Sequence, residues 1–148
     1  MKNTIILVIL FAFSACQKLS YYEIIVENIT EHDIVIEAFH EKEKQEEIIL
    51  KAFESYTNSQ YIDIEGGPDF SLFQAYLIDS VNIIFDSEKI IIQSCGEPEL
   101  SACWDVQRNI LAYGEGESYE YTEFGHKKYR YTYLITEEDY NNALPIEN

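Results

Sequence analysis

The side chains that could carry chemistry here are carboxylates, histidines and phenols, and their spacing limits what each can do. Asp63-Ile64-Glu65-Gly66-Gly67-Pro68-Asp69 sets three carboxylates around a glycine-rich turn. Calcium takes six to eight oxygen ligands, so Asp63, Glu65 and Asp69 could contribute to a calcium site. The spacing is not that of an EF-hand, and a plain acidic turn explains the same residues. His32, His40 and His126 stand far apart and none has a zinc spacing, so they read as turn and surface histidines. No Gly-x-Ser-x-Gly elbow and no glycine-rich phosphate loop occurs. A pair of acids for glycoside hydrolysis can be drawn among so many Asp and Glu, but nothing marks one pair. The expectation is a protein that is not an enzyme, with no catalytic residue and no cofactor to assign.

The phenols are the most suggestive group. Tyr113, Tyr119, Tyr121, Tyr129, Tyr131 and Tyr133 crowd the last third of the chain. Exposed on a sheet, such rings stack on sugars or form a protein hot spot. Alternate tyrosines on one strand face also pack over a core with their hydroxyls at its rim, and that reading is preferred. Trp104, beside Cys103, has the same two readings: packing on a disulfide, or a ligand platform.

The elements that must position these groups begin after a leader. Lys2 supplies a positive start, residues 4–13 form an almost unbroken apolar run, and Ser14, Ala15 and Cys16 follow. A charged n-region, a short apolar core and a small-residue cleavage site make a secretory signal peptide. The run is too short to span a bilayer, which needs about 20 apolar residues. Phe13-Ser14-Ala15-Cys16 resembles a lipobox, the motif of the lipoprotein signal peptidase, with Phe13 in place of the usual leucine. The resemblance implies a diacylglyceryl thioether on Cys16 and an acylated amino group after cleavage. Several acyl chains, palmitate among them, hold a protein on a membrane essentially permanently. Gln17 follows the cysteine and no Asp does, which by analogy with enteric bacteria favours the outer membrane. The expected organisation is a signal peptide over 1–15, a lipidated tether over 16–20 and one β-rich domain over 21–148. It is held in the cell envelope by lipid, on the periplasmic or the surface face.

The 148 residues carry a formal charge of −17, and loss of Lys2 with the leader makes the mature chain more acidic still. Such a field repels nucleic acid and anionic surfaces, so nucleic-acid binding is excluded; a cationic partner would suit it, and so would mere solubility as a monomer. In an oxidising compartment Cys95 and Cys103 are expected to pair across the turn-forming segment 96–102, stabilising by about 2–3 kcal/mol at most. A metal pair or two free thiols are the alternatives, though no further Cys or His stands close enough to complete a metal site.

β-Branched runs bounded by polar turns dominate the rest. Tyr21 to Ile29 and Asp33 to His40 read as an antiparallel hairpin around Thr30-Glu31-His32-Asp33. Glu41 to Glu47 reads as a solvated loop or strand edge ahead of a strand at Ile48 to Lys51. Ser55 to Gln60 reads as loop, and Tyr61 to Ile64 as a brief strand. Ser80 to Phe85 and Lys89 to Gln93 read as a hairpin belonging to the core. Glu117 to Phe124 and Lys128 to Ile135 read as another, with acids on one arm facing Lys127, Lys128 and Arg130 on the other. Thr136, followed by Glu137 and Glu138 and closed by Pro145, reads as a short capped helix. The fold expected is mainly β: a single antiparallel β-sandwich or small barrel with a short C-terminal helix.

The segment from Tyr131 to Ala143 resembles the close of many small uncharacterised lipoproteins from Bacteroidetes, and Asp79 to Asp86 resembles a recurrent block in them. The likeness covers about half of the mature chain and implies no activity. The function expected is a lipid-anchored, non-enzymatic interaction or accessory module whose partner is an envelope or extracellular protein or a glycan. Two further readings stand beside it: an inhibitor or immunity lipoprotein acting on a cationic hydrolase such as lysozyme, and a glycan-binding module.

Overall fold

The computed structural model describes residues 19–63, 71–73, 77–95, 108–112 and 118–147. Cys16, Glu65, Asp69, Cys103, Trp104 and Tyr113, and with them the side chain of Asp63, lie outside what is described.

The described elements run β1 (Leu19–Asn28), β2 (Ile34–His40), β3 (Glu43–Leu50), β4 (Ser55–Asp63), β5 (Ser80–Phe85), β6 (Lys89–Ser94), β7 (Glu120–Gly125), β8 (Lys128–Ile135), α1 (Glu137–Asn142) and β9 (Leu144–Pro145). Sheet I has the order β4-β1-β8-β7 and sheet II the order β3-β2-β5-β6-β9. The two sheets pack together as a sandwich, with no closed barrel. Sheet II is antiparallel throughout, whereas in sheet I the central pair β1/β8 is parallel. Strand alternation sends Ile24 and Val26 of β1 and Tyr133 and Ile135 of β8 inward. They meet Ile34, Ile36 and Ala38 of β2, Ile48 and Leu50 of β3, and Val81, Ile83 and Phe85 of β5 in one core.

The two local hairpins form where expected, at β5/β6 and β7/β8. So does the helix: the Thr136 hydroxyl accepts from the Asp139 N–H, and the Asp139 carboxylate accepts from the Thr136 N–H, a capping box. Three expectations are corrected. First, β1 and β2 are not a hairpin, because β1 pairs with β4 and β8 while β2 pairs with β3 and β5. Buried Asn28 makes the crossing. Its Nδ2 donates to the carbonyls of His32 (2.8 Å) and Lys51 (2.9 Å), and its Oδ1 accepts from the Thr30 N–H (3.0 Å) and hydroxyl (2.7 Å). That corner carries the chain from one sheet into the other. Second, Ser55 to Gln60 is strand, the first part of β4, paired along β1. Its inward Asn58 is satisfied by the carbonyls of Ser71 and Leu72. Third, Arg130 faces Glu23 of β1 at 2.7 Å rather than an acid of β7. The charged run at 41–47 becomes the edge strand β3, entered through a tight turn in which Glu41 (φ 48°) and Lys42 (φ 69°) are both left-handed.

Candidate interaction surface

Of the tyrosines singled out in the sequence, Tyr121, Tyr129, Tyr131 and Tyr133 lie on the inner face of sheet I, and Tyr119 just precedes β7. Tyr133 and Tyr119 are core residues. The Tyr119 hydroxyl donates to the Ile110 carbonyl (2.5 Å), and the Tyr133 hydroxyl accepts from Gln93 Nε2 (3.1 Å). Burial pushes the Tyr133 phenol above its ordinary pKa. Tyr129 and Tyr131 are half-buried, and Tyr121 is exposed. Tyr22, Tyr129, Tyr121 and Tyr131 stand ring to ring, with centroids 5.0 to 6.2 Å apart. Gln93 further pins the segment 108–112: its Oε1 accepts from the Ile110 N–H at 2.8 Å, and its Nε2 also donates to the Arg108 carbonyl. The tyrosines are thus brought together, largely as packing and as rim hydrogen bonds. Cys95 follows β6 and packs against the core.

The outer face of sheet I carries Glu23, Ile25 and Glu27 on β1, Lys128, Arg130 and Thr132 on β8, and Thr57 and Ser59 on β4. Its aromatic side chains are mutually engaged. Tyr21 lies against Tyr61 (4.9 Å, 51°) and edge-on to Phe124 (6.2 Å, 79°), and Arg130 covers the Phe124 ring at 4.7 Å. The Tyr21 hydroxyl donates to Glu23, which also takes Arg130. Tyr61 (67%) and Phe124 (39%) nonetheless keep part of their surface in water.

Sheet II is different. Register aligns Ile49 of β3 with Val35 of β2, Val35 with Ile84 of β5, Ile84 with Ile90 of β6, and Ile90 with Leu144 of β9. Each of these residues sits one position from an inward-facing neighbour, so the five form a continuous aliphatic row on the outer face. Strands lie about 4.8 Å apart, so a row across five strands spans roughly 19 Å. Ile49 is 59% exposed and Leu144 is 69% exposed; Ile92 of the next row is also exposed. Apolar patches of more than a few hundred Å² are uncommon on monomers and mark contact sites. The row is bordered by charge. Glu37 and Glu47 stand directly opposite each other, a destabilising pairing that Lys44 offsets by bridging both at 3.1 and 2.8 Å. Hydrogen bonds from its ammonium to Glu47 and Glu37 raise the Lys44 pKa. On the other border lie the turns that hold Asp33, Glu54, Asp86 and Glu88.

The sequence signal for this row was available. Val35, Ile49, Ile84 and Ile90 each stand beside another aliphatic residue instead of alternating with a polar one. Strands that lack alternation are apolar on both faces.

Among the described residues, no group of three or more His, Cys, Asp or Glu is placed to hold a metal ion, and no helix is long and apolar enough to cross a membrane. No family model, curated protein or solved structure matches this chain.

Proposed function

We propose that this chain is a lipid-anchored, non-enzymatic binding module of the cell envelope, whose partner docks on the outer face of sheet II. The aliphatic row Ile49–Val35–Ile84–Ile90–Leu144 is the observation that carries the docking face. The leader and the lipobox-like Phe13-Ser14-Ala15-Cys16 carry the anchor, with lipid on Cys16. A Cys95–Cys103 disulfide is part of the same proposal, since export would place both thiols in an oxidising compartment. The inhibitor or immunity reading, directed at a cationic hydrolase, is favoured over the glycan reading by the acidic border of the row and the charge of −17.

The test is made in cells that express the full chain. A palmitate analogue should label the wild type and not Cys16→Ser. A photoreactive residue at position 84 should give a protein adduct, and one at position 132, on the other outer face, should give none. Absence of label would remove the anchor, and equal adducts from both positions would remove the docking face.

A further inference from the structure

Three turns meet at the pole along which the aliphatic row runs. They are 30–33 between β1 and β2, 51–54 between β3 and β4, and 86–88 between β5 and β6. Hydrogen bonds strap them together. Asp33 accepts from Lys51 Nζ (2.7 Å) and from the Ala52 N–H (3.3 Å). The Asp33 N–H donates to Asp86 Oδ1 (2.9 Å), and His32 Nδ1 lies 2.6 Å from Asp86 Oδ2. The Glu54 N–H donates to the Lys51 carbonyl, Glu54 Oε2 accepts from the Lys51 N–H, and the Glu54 carbonyl accepts from the Asn28 N–H. Val35, Ile49, Ile84 and Ile90 each lie within two residues of one of these turns, so row and pole are one surface.

Phe53 stands at that pole in the left-handed region (φ 63°), with its side chain 69% exposed. A bulky residue there is an outlier costing on the order of 1 kcal/mol, where glycine or asparagine would sit freely. Folding gains little in return from a ring left mostly in water. The turn that carries it is strapped on both sides, through Ala52 and Glu54. β1 enters at Leu19, at the opposite end of the molecule, so the pole faces away from the point at which the chain arrives.

We infer that Phe53, the aliphatic row and the bordering carboxylates Asp33, Glu54, Asp86 and Glu88 form one docking surface for a cationic, amphipathic polypeptide. This rests on the proposal that the outer face of sheet II is the docking face, and adds the chemistry of the partner and a leading contact. Charge complementarity selects the occupant. The exposed carboxylates around the row outnumber Lys44 and Lys51, both already paired with acids. A second copy would set one strongly acidic chain against another. An exposed aromatic ring carried on a strapped turn suits the anchoring role that such residues play at interfaces.

The test uses the mature chain, residues 16–148, with Cys16→Ser so that no lipid competes. The probe is a fluorescent peptide of alternating lysine and leucine, read by anisotropy. A lysine–serine peptide and a glutamate–leucine peptide are the comparisons. The lysine–leucine peptide should bind, and both comparisons should bind about tenfold more weakly or not at all. Phe53→Gly should weaken binding at least threefold without lowering the unfolding temperature, because glycine suits the backbone. Ile84→Glu should abolish binding, and Thr132→Glu, on sheet I, should leave it unchanged. Equal binding of the lysine–serine peptide, or no binding of the lysine–leucine peptide, overturns the inference. Binding lost in Ile84→Glu but untouched in Phe53→Gly also overturns it while leaving the docking face standing. Binding insensitive to both variants removes the two together.

Discussion

On the outer face of sheet I, Glu23, Glu27, Lys128, Arg130 and Thr132 meet water, and the aromatic residues among them are engaged with each other and with Arg130. On the outer face of sheet II, Val35, Ile49, Ile84, Ile90 and Leu144 line up across five strands, with Ile49 and Leu144 exposed and Val35, Ile84 and Ile90 half-buried. Both sheets use the same core, and either outer face could have been polar without loss of packing. Burying apolar area is worth about 25 cal/mol per Å², and Ile49 and Leu144 at the two ends of the row forgo most of that gain. The difference separates a face whose rings contact each other and Arg130 from one whose aliphatic row leaves Ile49 and Leu144 mostly in water.

The sharpest break of this comparison would be between neighbours on one strand. Ile83→Ala should cost about 3 kcal/mol of stability, because it removes a buried side chain from the core. Ile84→Ala should cost under about 1 kcal/mol, because Ile84 faces outward. Chemical denaturation measures both, and equal costs would put Ile84 in the core and end the contrast. At the corner that joins the two sheets, Asn28→Ala should cost about 2 kcal/mol by leaving buried polar groups without partners.

On sheet I, Arg130→Ala should lower stability by about 1 kcal/mol through loss of Glu23 and of the ring of Phe124. It should leave peptide binding on sheet II as it was, and a change in binding would blur the two faces. The smallest effect belongs to Asp79. Burial pushes its carboxyl pKa up, but hydrogen bonds from the Ser80 hydroxyl and the Glu41 N–H, with His40 beside them, outweigh this and hold it below the usual range. The lowered folded-state pKa means that this stability is present above the unfolded carboxyl value and is lost as pH falls through the folded one. Unfolding temperature should therefore fall more steeply below about pH 4 in the wild type than in Asp79→Asn. Parallel curves would show that the clamp contributes nothing.

What was legible in the sequence was local. The β5/β6 and β7/β8 hairpins and the Thr136 cap are set by residues a few positions apart, so turn chemistry was enough. The β1–β2 crossing was not legible, because Asn28 completes it with the carbonyl of Lys51, 23 residues away. The strand at Ser55 to Gln60 was hidden by polar residues on both faces, since Asn58 points inward to distant carbonyls. Tyr119 and Tyr133 drew attention as a possible platform, yet period-2 spacing cannot tell an inner face from an outer one. The apolar row was written in Ile48-Ile49-Leu50, Ile83-Ile84-Phe85 and Ile90-Ile91-Ile92, but their alignment into one surface depends on register across five strands, which only the fold supplies.

The central claim is that the outer face of sheet II, not that of sheet I, takes the partner. Isoleucine-methyl NMR of the mature chain during titration with the lysine–leucine peptide tests it most directly. Ile49, Ile84 and Ile90 report on sheet II and Ile25 on sheet I. Shifts at the first three with Ile25 unmoved are the expected result; shifts centred on Ile25, or none at the row, would contradict the account.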